Sequence, residues 1–218
     1  MTKKLLQRLI GLTLCYAILS GAASAAYVTD VPADNWANTA VQYVVDAQIM
    51  PTDNDGSFYP DVFTTRGEFV LYLWRMAGAN IEESYEAPSF TDVPEYSDYW
   101  YPAEWASLYG VSNGMGDGTF APDQSLTRQE AFTFLYRALT SMGIKFPPID
   151  LNEMLITEFD DFDNISGWAQ TPIQVLMSTD IMHGTIDENG NPYAMPLRDV
   201  TNAATATLIY NVHQAFDV

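Results

Sequence analysis

The chain has 218 residues, 28 of them acidic and nine basic, for a net charge of −19. A charge of that sign opposes binding to DNA, RNA or an anionic membrane surface, where clustered Lys and Arg supply most of the affinity. A single cysteine excludes a disulfide framework, and an apolar content of 48% with 13% aromatics places the acidity on the surface of a folded protein, not in a disordered tail.

The first 25 residues form a separate segment. Lys3, Lys4 and Arg8 make a positive start, Leu9 to Leu19 an apolar run, and Ala23-Ser24-Ala25 a small-residue cleavage site. This order predicts a secretory signal peptide over 1–25, with an apolar run too short for a good membrane span. Cys15 lies inside the run, between Leu14 and Tyr16, and not at its end where a lipidated cysteine would stand. Cleavage removes that cysteine and leaves 193 residues with six basic against 28 acidic side chains, a net charge of −22 and no thiol nucleophile. The expectation is a secreted protein with no membrane contact after cleavage.

The remainder of the chain is repetitive. Thr29-Asp30-Val31-Pro32 returns as Thr91-Asp92-Val93-Pro94, Asp55-Gly56-Ser57-Phe58 as Asp117-Gly118-Thr119-Phe120, and Thr65-Arg66-Gly67-Glu68 as Thr127-Arg128-Gln129-Glu130, each at an offset of 62 residues. A constant offset over several motifs means two copies of one supersecondary unit. A third, eroded copy starts at Phe159-Asp160-Asp161-Phe162, keeps Trp168 and ends in Val200-Thr201-Asn202-Ala203-Ala204, without the Arg and the Glu. The units are read as 26–78, 89–143 and 158–218.

Each unit has room for a helix, a turn-rich loop and a second helix. Trp36, Ala40, Val41, Val44, Val45 and Ile49 carry helical spacing with one apolar face in the first unit, and Ala103, Ala106, Ser107 and Val111, with Trp105 beside them, in the second. Glycine-rich turns come next, then Phe58 and Pro60 or Phe120 and Pro122. Thr65 with Glu68, and Thr127 with Glu130, have the spacing of a capping box, in which hydroxyl and carboxylate satisfy free amides of the first helical turn. The helices behind them are apolar on most sides and must be largely buried. Gly78 and Gly143 are read as helix stops. One such unit cannot cover its own apolar faces, so the expected fold is mainly α, with three helix-loop-helix units packed as one domain.

Together the motifs resemble the S-layer homology (SLH) repeat of bacterial surface proteins. The second unit carries the pattern as Phe90-Thr91-Asp92-Val93-Pro94, Trp100, Gly110-Val111, Asp117-Gly118-Thr119-Phe120-Ala121-Pro122 and Leu126-Thr127-Arg128-Gln129-Glu130. The resemblance implies a pseudo-threefold assembly with grooves between neighbouring repeats. It further implies non-covalent binding of an anionic secondary cell-wall polysaccharide, often pyruvylated, and so a place at the cell wall.

On that basis the expected ligand-binding residues are Asp30, Trp36, Gly56 and Arg66 in the first unit, and Asp92, Trp100, Gly118 and Arg128 in the second. Arg66 and Arg128 open capped helices, where free amides and the macrodipole favour an anion and a guanidinium can pair bidentately with a carboxylate. The bland alternative is that both bridge to Asp30 and Asp92. Trp36 offers either a face for stacking on a sugar or a core wedge. Trp100 stands eight residues after Asp92 where Trp36 stands six after Asp30, which puts their equivalence in question. Gly56 and Gly118 also suit plain turns, and Arg75 and Arg137 read as structural cations in the last turns of their helices.

No metal, cofactor or catalytic group is expected. Asp53-Asn54-Asp55-Gly56 lacks the ligand spacing of an EF-hand, with Pro51 and Val62 at its first and twelfth positions. His183 and His213 have no spaced partner ligand, and acidic pairs such as Glu82-Glu83 and Asp160-Asp161 read as solvated surface, not a glycosidase pair. The repeats leave no room for a separate catalytic domain. Two rival readings remain: an SLH-fold assembly module making surface-protein contacts without glycan affinity, and a wall-glycan hydrolase.

Overall fold

The computed structural model describes residues 28–79, 88–148 and 155–216. The expected signal peptide, 1–25, lies outside the described residues, as do residues 80–87 and 149–154 between the units. Among the described residues six α-helices stand in pairs: α1 (Asn38–Asp46) and α2 (Arg66–Met76), α3 (Trp100–Leu108) and α4 (Arg128–Ser141), α5 (Gly167–Ser178) and α6 (Asn202–Phe216). The strand content among the described residues is one small hairpin, Thr185–Ile186 against Pro192–Tyr193, in the loop between α5 and α6. No helix of the described residues is long and apolar enough to cross a membrane.

Each second helix is buried by its neighbours, as its sequence requires. Phe69, Val70 and Leu73 of α2, Phe132, Leu135 and Leu139 of α4, and Ile209 and Val212 of α6 are all at most 1% exposed. The helices pack in cyclic order: α2 on α3, α4 on α5, and α6 back on α1. The last contact closes the ring, joining Val41, Val44 and Val45 of the first unit to Ala203, Ala206 and Ile209 of the third in one apolar cluster.

The pseudo-threefold axis is visible in the backbone. Leu126 N–H donates to Thr64 C=O (3.1 Å), Thr64 N–H to Val200 C=O (2.9 Å) and Val200 N–H to Leu126 C=O (2.9 Å). These three residues precede the caps of α2, α4 and α6, and are buried at 0%, 0% and 1% exposure. Where two units place Leu126 and Val200, the first places Thr64, whose hydroxyl is held by Asn202 Oδ1 (2.8 Å) and Thr205 Oγ1 (2.9 Å). A buried hydroxyl is thereby satisfied.

The aspartate of each unit ties its loop together. Asp30 accepts the amides of Phe58 and Tyr59 (2.8 and 2.7 Å), Asp92 those of Phe120 and Ala121 (2.7 and 2.8 Å), and Asp161 those of Ala194 and Met195 (2.8 and 2.7 Å). The second amide of each pair belongs to a non-glycine residue in the left-handed region, Tyr59 at φ 56°, Ala121 at 57° and Met195 at 50°. Two charge-assisted bonds to one carboxylate hold a conformation that such residues otherwise avoid.

Candidate functional site: the groove at Arg128

The helix starts do not present free amides. Arg66 N–H donates to Gln124 C=O (2.9 Å) and Gly67 N–H to Pro122 C=O (2.8 Å), so the first turn of α2 is satisfied by the loop of the second unit. In the same way Arg128 and Gln129 donate to Arg198 and Pro196 of the third unit (2.8 and 3.0 Å), and Asn202 and Ala203 to Val62 and Pro60 of the first (2.9 Å each). The expectation of an anion held by these amides is therefore corrected: carbonyls of the next unit already occupy them. The capping boxes do form. Thr65 N–H donates to Glu68 Oε2 (2.7 Å) and Glu68 N–H to Thr65 Oγ1 (3.2 Å), while Glu130 Oε2 takes the amide and hydroxyl of Thr127 (3.0 and 2.7 Å).

The first side chain of each second helix also reaches the next unit. Arg66 Nε donates to Phe120 C=O (3.0 Å), Arg128 Nε to Ala194 C=O (2.9 Å), and Asn202 Nδ2 to Tyr59 C=O (3.1 Å). Neither arginine bridges to Asp30 or Asp92, whose oxygens serve the loop amides instead. The two arginines then part company. Arg66 is 2% exposed, lies between the rings of Phe120 and Phe134, and pairs through Nη1 with Glu130 Oε1 at 2.8 Å. It is not available to a ligand. Arg128 is half-buried over the ring of Phe132, and among the described residues it meets no carboxylate at ion-pair distance.

The reason lies in the third helix of this set. Glu130 is the third residue of α4, and the matching position of α6 is Ala204. Arg66 meets a glutamate there, whereas the residue in that place for Arg128 is an alanine. Arg128 and Ala204 both line a pocket of about 290 Å³, together with Trp36, Thr207, Leu208 and Asn211 and with residues of the Ile181–Thr185 stretch. Burial lowers the Arg128 pKa from its ordinary value, Arg198 lowers it further, and Asp161 opposes them. Arg stays charged at neutral pH even so.

Of the eight expected residues the structure brings two together at this pocket, Arg128 and Trp36. Trp36 precedes α1 and is 70% exposed, so it is no core wedge. Trp100 is corrected: it is the first residue of α3, turned inward and 7% exposed. Matching helix positions across the units pairs Trp36 with Asp98 and Trp168, all three of them exposed. Asp30 and Asp92 have both oxygens committed to their own loops. Gly56 and Gly118 lie at φ 83° and 88° and pass their carbonyls to Thr29 and Thr91 amides (3.0 Å each), a backbone role. Arg75 and Arg137 are structural, but through carbonyls: they donate to Ile49 and Val111 C=O (3.0 and 3.4 Å), and Arg137 lies inside α4, short of its last turn.

Sequence reasoning misses Ala204, Thr207 and Asn211 because none is distinctive by type. His183, which stands alone in the sequence, lines the pocket and offers its carbonyl to Arg128 Nη2 at 3.5 Å. The described residues hold no cluster of three or more His, Cys, Asp or Glu side chains suited to a metal.

Comparison with known proteins agrees with this architecture. A family model described as S-layer homology domain matches residues 29–70 and 89–132. The first two units of the chain are thus matched as SLH repeats. Cell surface glycoprotein 1 of Acetivibrio thermocellus is 34% identical over 148 residues, 63% of this chain and 6% of the relative. The S-layer protein sap of Bacillus anthracis is 26% identical over 217 residues, 96% of this chain and 25% of the relative. An endoglucanase of Bacillus sp. (strain KSM-635) is 24% identical over 190 residues, 84% of this chain and 19% of the relative. The chain thus spans a quarter or less of the length of these three relatives.

Proposed function

We propose that this SLH protein is exported and held at the cell surface by binding an anionic secondary cell-wall polysaccharide, with the contact made in the groove at Arg128. The observation that carries the reading is the pairing, in one pocket, of a half-buried cation lacking a carboxylate partner among the described residues with the exposed face of Trp36. A guanidinium held by Ala194 C=O and by the Phe132 ring is fixed in direction and can accept a carboxylate in bidentate fashion. The tryptophan face and Leu208 suit the apolar face of a sugar ring, while Thr207 and Asn211 supply hydroxyl and amide partners. A pyruvate ketal on a sugar presents such a carboxylate beside such a ring.

In this reading residues 158–218 are a third, divergent SLH repeat, supported by the Asp161 clasp and by the closure of α6 on α1. The activity of the endoglucanase does not transfer, since the alignment spans 19% of that protein. Calorimetric titration with released wall polysaccharide, before and after mild acid cleavage of its ketals, tests the proposal. Binding to the intact polymer and loss of binding after cleavage are expected; equal heats would overturn it.

A further inference from the structure

The three inter-unit junctions are chemically different, although the backbone repeats around the axis. Each junction joins the first residue of one second helix to the third residue of the next. The pairs are Arg66 with Glu130, Arg128 with Ala204, and Asn202 with Glu68. The first is closed by its own ion pair at 2.8 Å. The last offers an amide and a carboxylate, with no cation for an anionic ligand. The middle pair leaves the guanidinium of Arg128 facing the pocket beside a methyl group.

We infer that residue 204 decides which junction is receptive: the Arg66–Glu130 pair is an internal copy of the liganded state, and Ala204 leaves the corresponding carboxylate seat beside Arg128 to be filled by one ligand carboxylate per chain. This inference rests on the reading of the Arg128 groove as the binding site. Its physical basis is the equivalence of the two helix starts. Arg66 and Arg128 each donate Nε to the carbonyl of Phe120 or Ala194, whose own amide is clasped by the aspartate, at 3.0 and 2.9 Å, so both side chains are anchored at the same point of the facing loop. Beyond it Arg66 lies against Phe120 and Phe134, and Arg128 against Phe132 with His183 C=O at 3.5 Å from Nη2. The difference is the third residue of the facing helix. The backbone of α6 is already set for a glutamate there, because Ala204 N–H donates to Thr201 Oγ1 at 3.3 Å in the geometry of half a capping box.

The test compares the wild-type protein with Ala204→Glu, using as probes a methyl hexopyranoside bearing a pyruvate ketal and the methyl ester of the same ketal. The wild type should bind the acid with a stoichiometry of one and the ester at least tenfold more weakly. Ala204→Glu should bind the acid at least tenfold more weakly than wild type. Its melting temperature should rise, and the rise should vanish when Arg128→Gln is added, which shows that the new carboxylate has taken the seat without reference to any ligand. Equal binding of the acid by wild type and Ala204→Glu, or a stoichiometry of two or three, overturns the inference. So does an Ala204→Glu melting temperature that does not depend on Arg128. A wild type that binds wall polymer but not the ketal probe defeats the inference and leaves wall attachment standing. One that binds the ketal probe but no wall polymer defeats wall attachment and leaves the seat standing.

Discussion

Arg66 Nη1 and Glu130 Oε1 meet at 2.8 Å across the boundary between the first two units, with the arginine side chain 3% and the glutamate 21% exposed. The pair is therefore a structural cross-link, and burial, which lowers the Arg66 pKa, is opposed first by the Glu130 charge and then by Asp92. Removing the glutamate strands a guanidinium that water hardly reaches, and removing the arginine leaves a largely buried carboxylate without its counter-charge.

Arg66→Ala should lower stability by about 3 kcal/mol, the range found when half of a buried ion pair is deleted. Urea unfolding checks it. Arg128→Ala, which loses a hydrogen bond to Ala194 C=O but no ion pair among the described residues, should cost only about 1 kcal/mol. Its effect on wall-polysaccharide affinity should be the larger one, a loss of about tenfold or more, since a charge-assisted contact contributes about 1.5–3 kcal/mol. Equal stability losses for the two variants would show that the two arginines play one role.

The aspartate clasps make a second set of expectations. Asp92→Ala and Asp161→Ala each leave two loop amides without their acceptor, one of them on a left-handed residue, and should destabilise by about 2 kcal/mol apiece. Thermal unfolding of the two variants side by side is the check. A silent Asp161→Ala would mean that the third unit is not held as the others are.

Asn202 replaces an arginine yet keeps its inter-unit contact, donating to Tyr59 C=O at 3.1 Å and accepting from Thr64 Oγ1 at 2.8 Å. Asn202→Ala should lose about 1 kcal/mol of stability while polymer affinity stays within about twofold, because the junction it occupies carries no cation. A tenfold loss of affinity would assign a working site to that junction. Thr65→Ala, which removes one cap without touching any groove, should cost about 1 kcal/mol and leave binding unchanged.

Deleting residues 159–218 should give an aggregating product. The third unit covers Val41, Val44 and Val45 through Ala206 and Ile209, and Leu135 and Leu139 share a core with Ile173 and Leu176. Light scattering of the truncated chain measures this.

Much of the fold was legible in the chain itself. The 62-residue offset, the T-x-x-E starts and the apolar second helices are local signals, and each predicts a local structure that formed. Contacts between units were not legible, because they depend on how the units rotate about the axis. Hence the amides of α2 and α4 read as free though the next unit's carbonyls fill them. Asp30 and Asp92 read as ligand contacts for a different reason, since each clasps its own unit's loop 28 residues further on, beyond the reach of local spacing rules. Trp100 was set beside Trp36 by residue type, against the six- and eight-residue spacings from Asp30 and Asp92; the shared positions of Ile49, Val111 and Ile181 align Trp36 with Asp98 and Trp168. The open state of the Arg128 groove hinged on Ala204, whose significance appears only when α6 is set against α4.

Attachment to the wall through an anionic polymer in the Arg128 groove can be read out by co-sedimentation. Purified mature protein is mixed with sacculi before and after chemical removal of the secondary polymer, and the pelleted fraction is measured. The wild type should pellet with polymer-bearing sacculi and little with stripped ones, and Arg128→Ala should pellet little with either. Equal pelleting of the wild type with both preparations would contradict that mode of attachment.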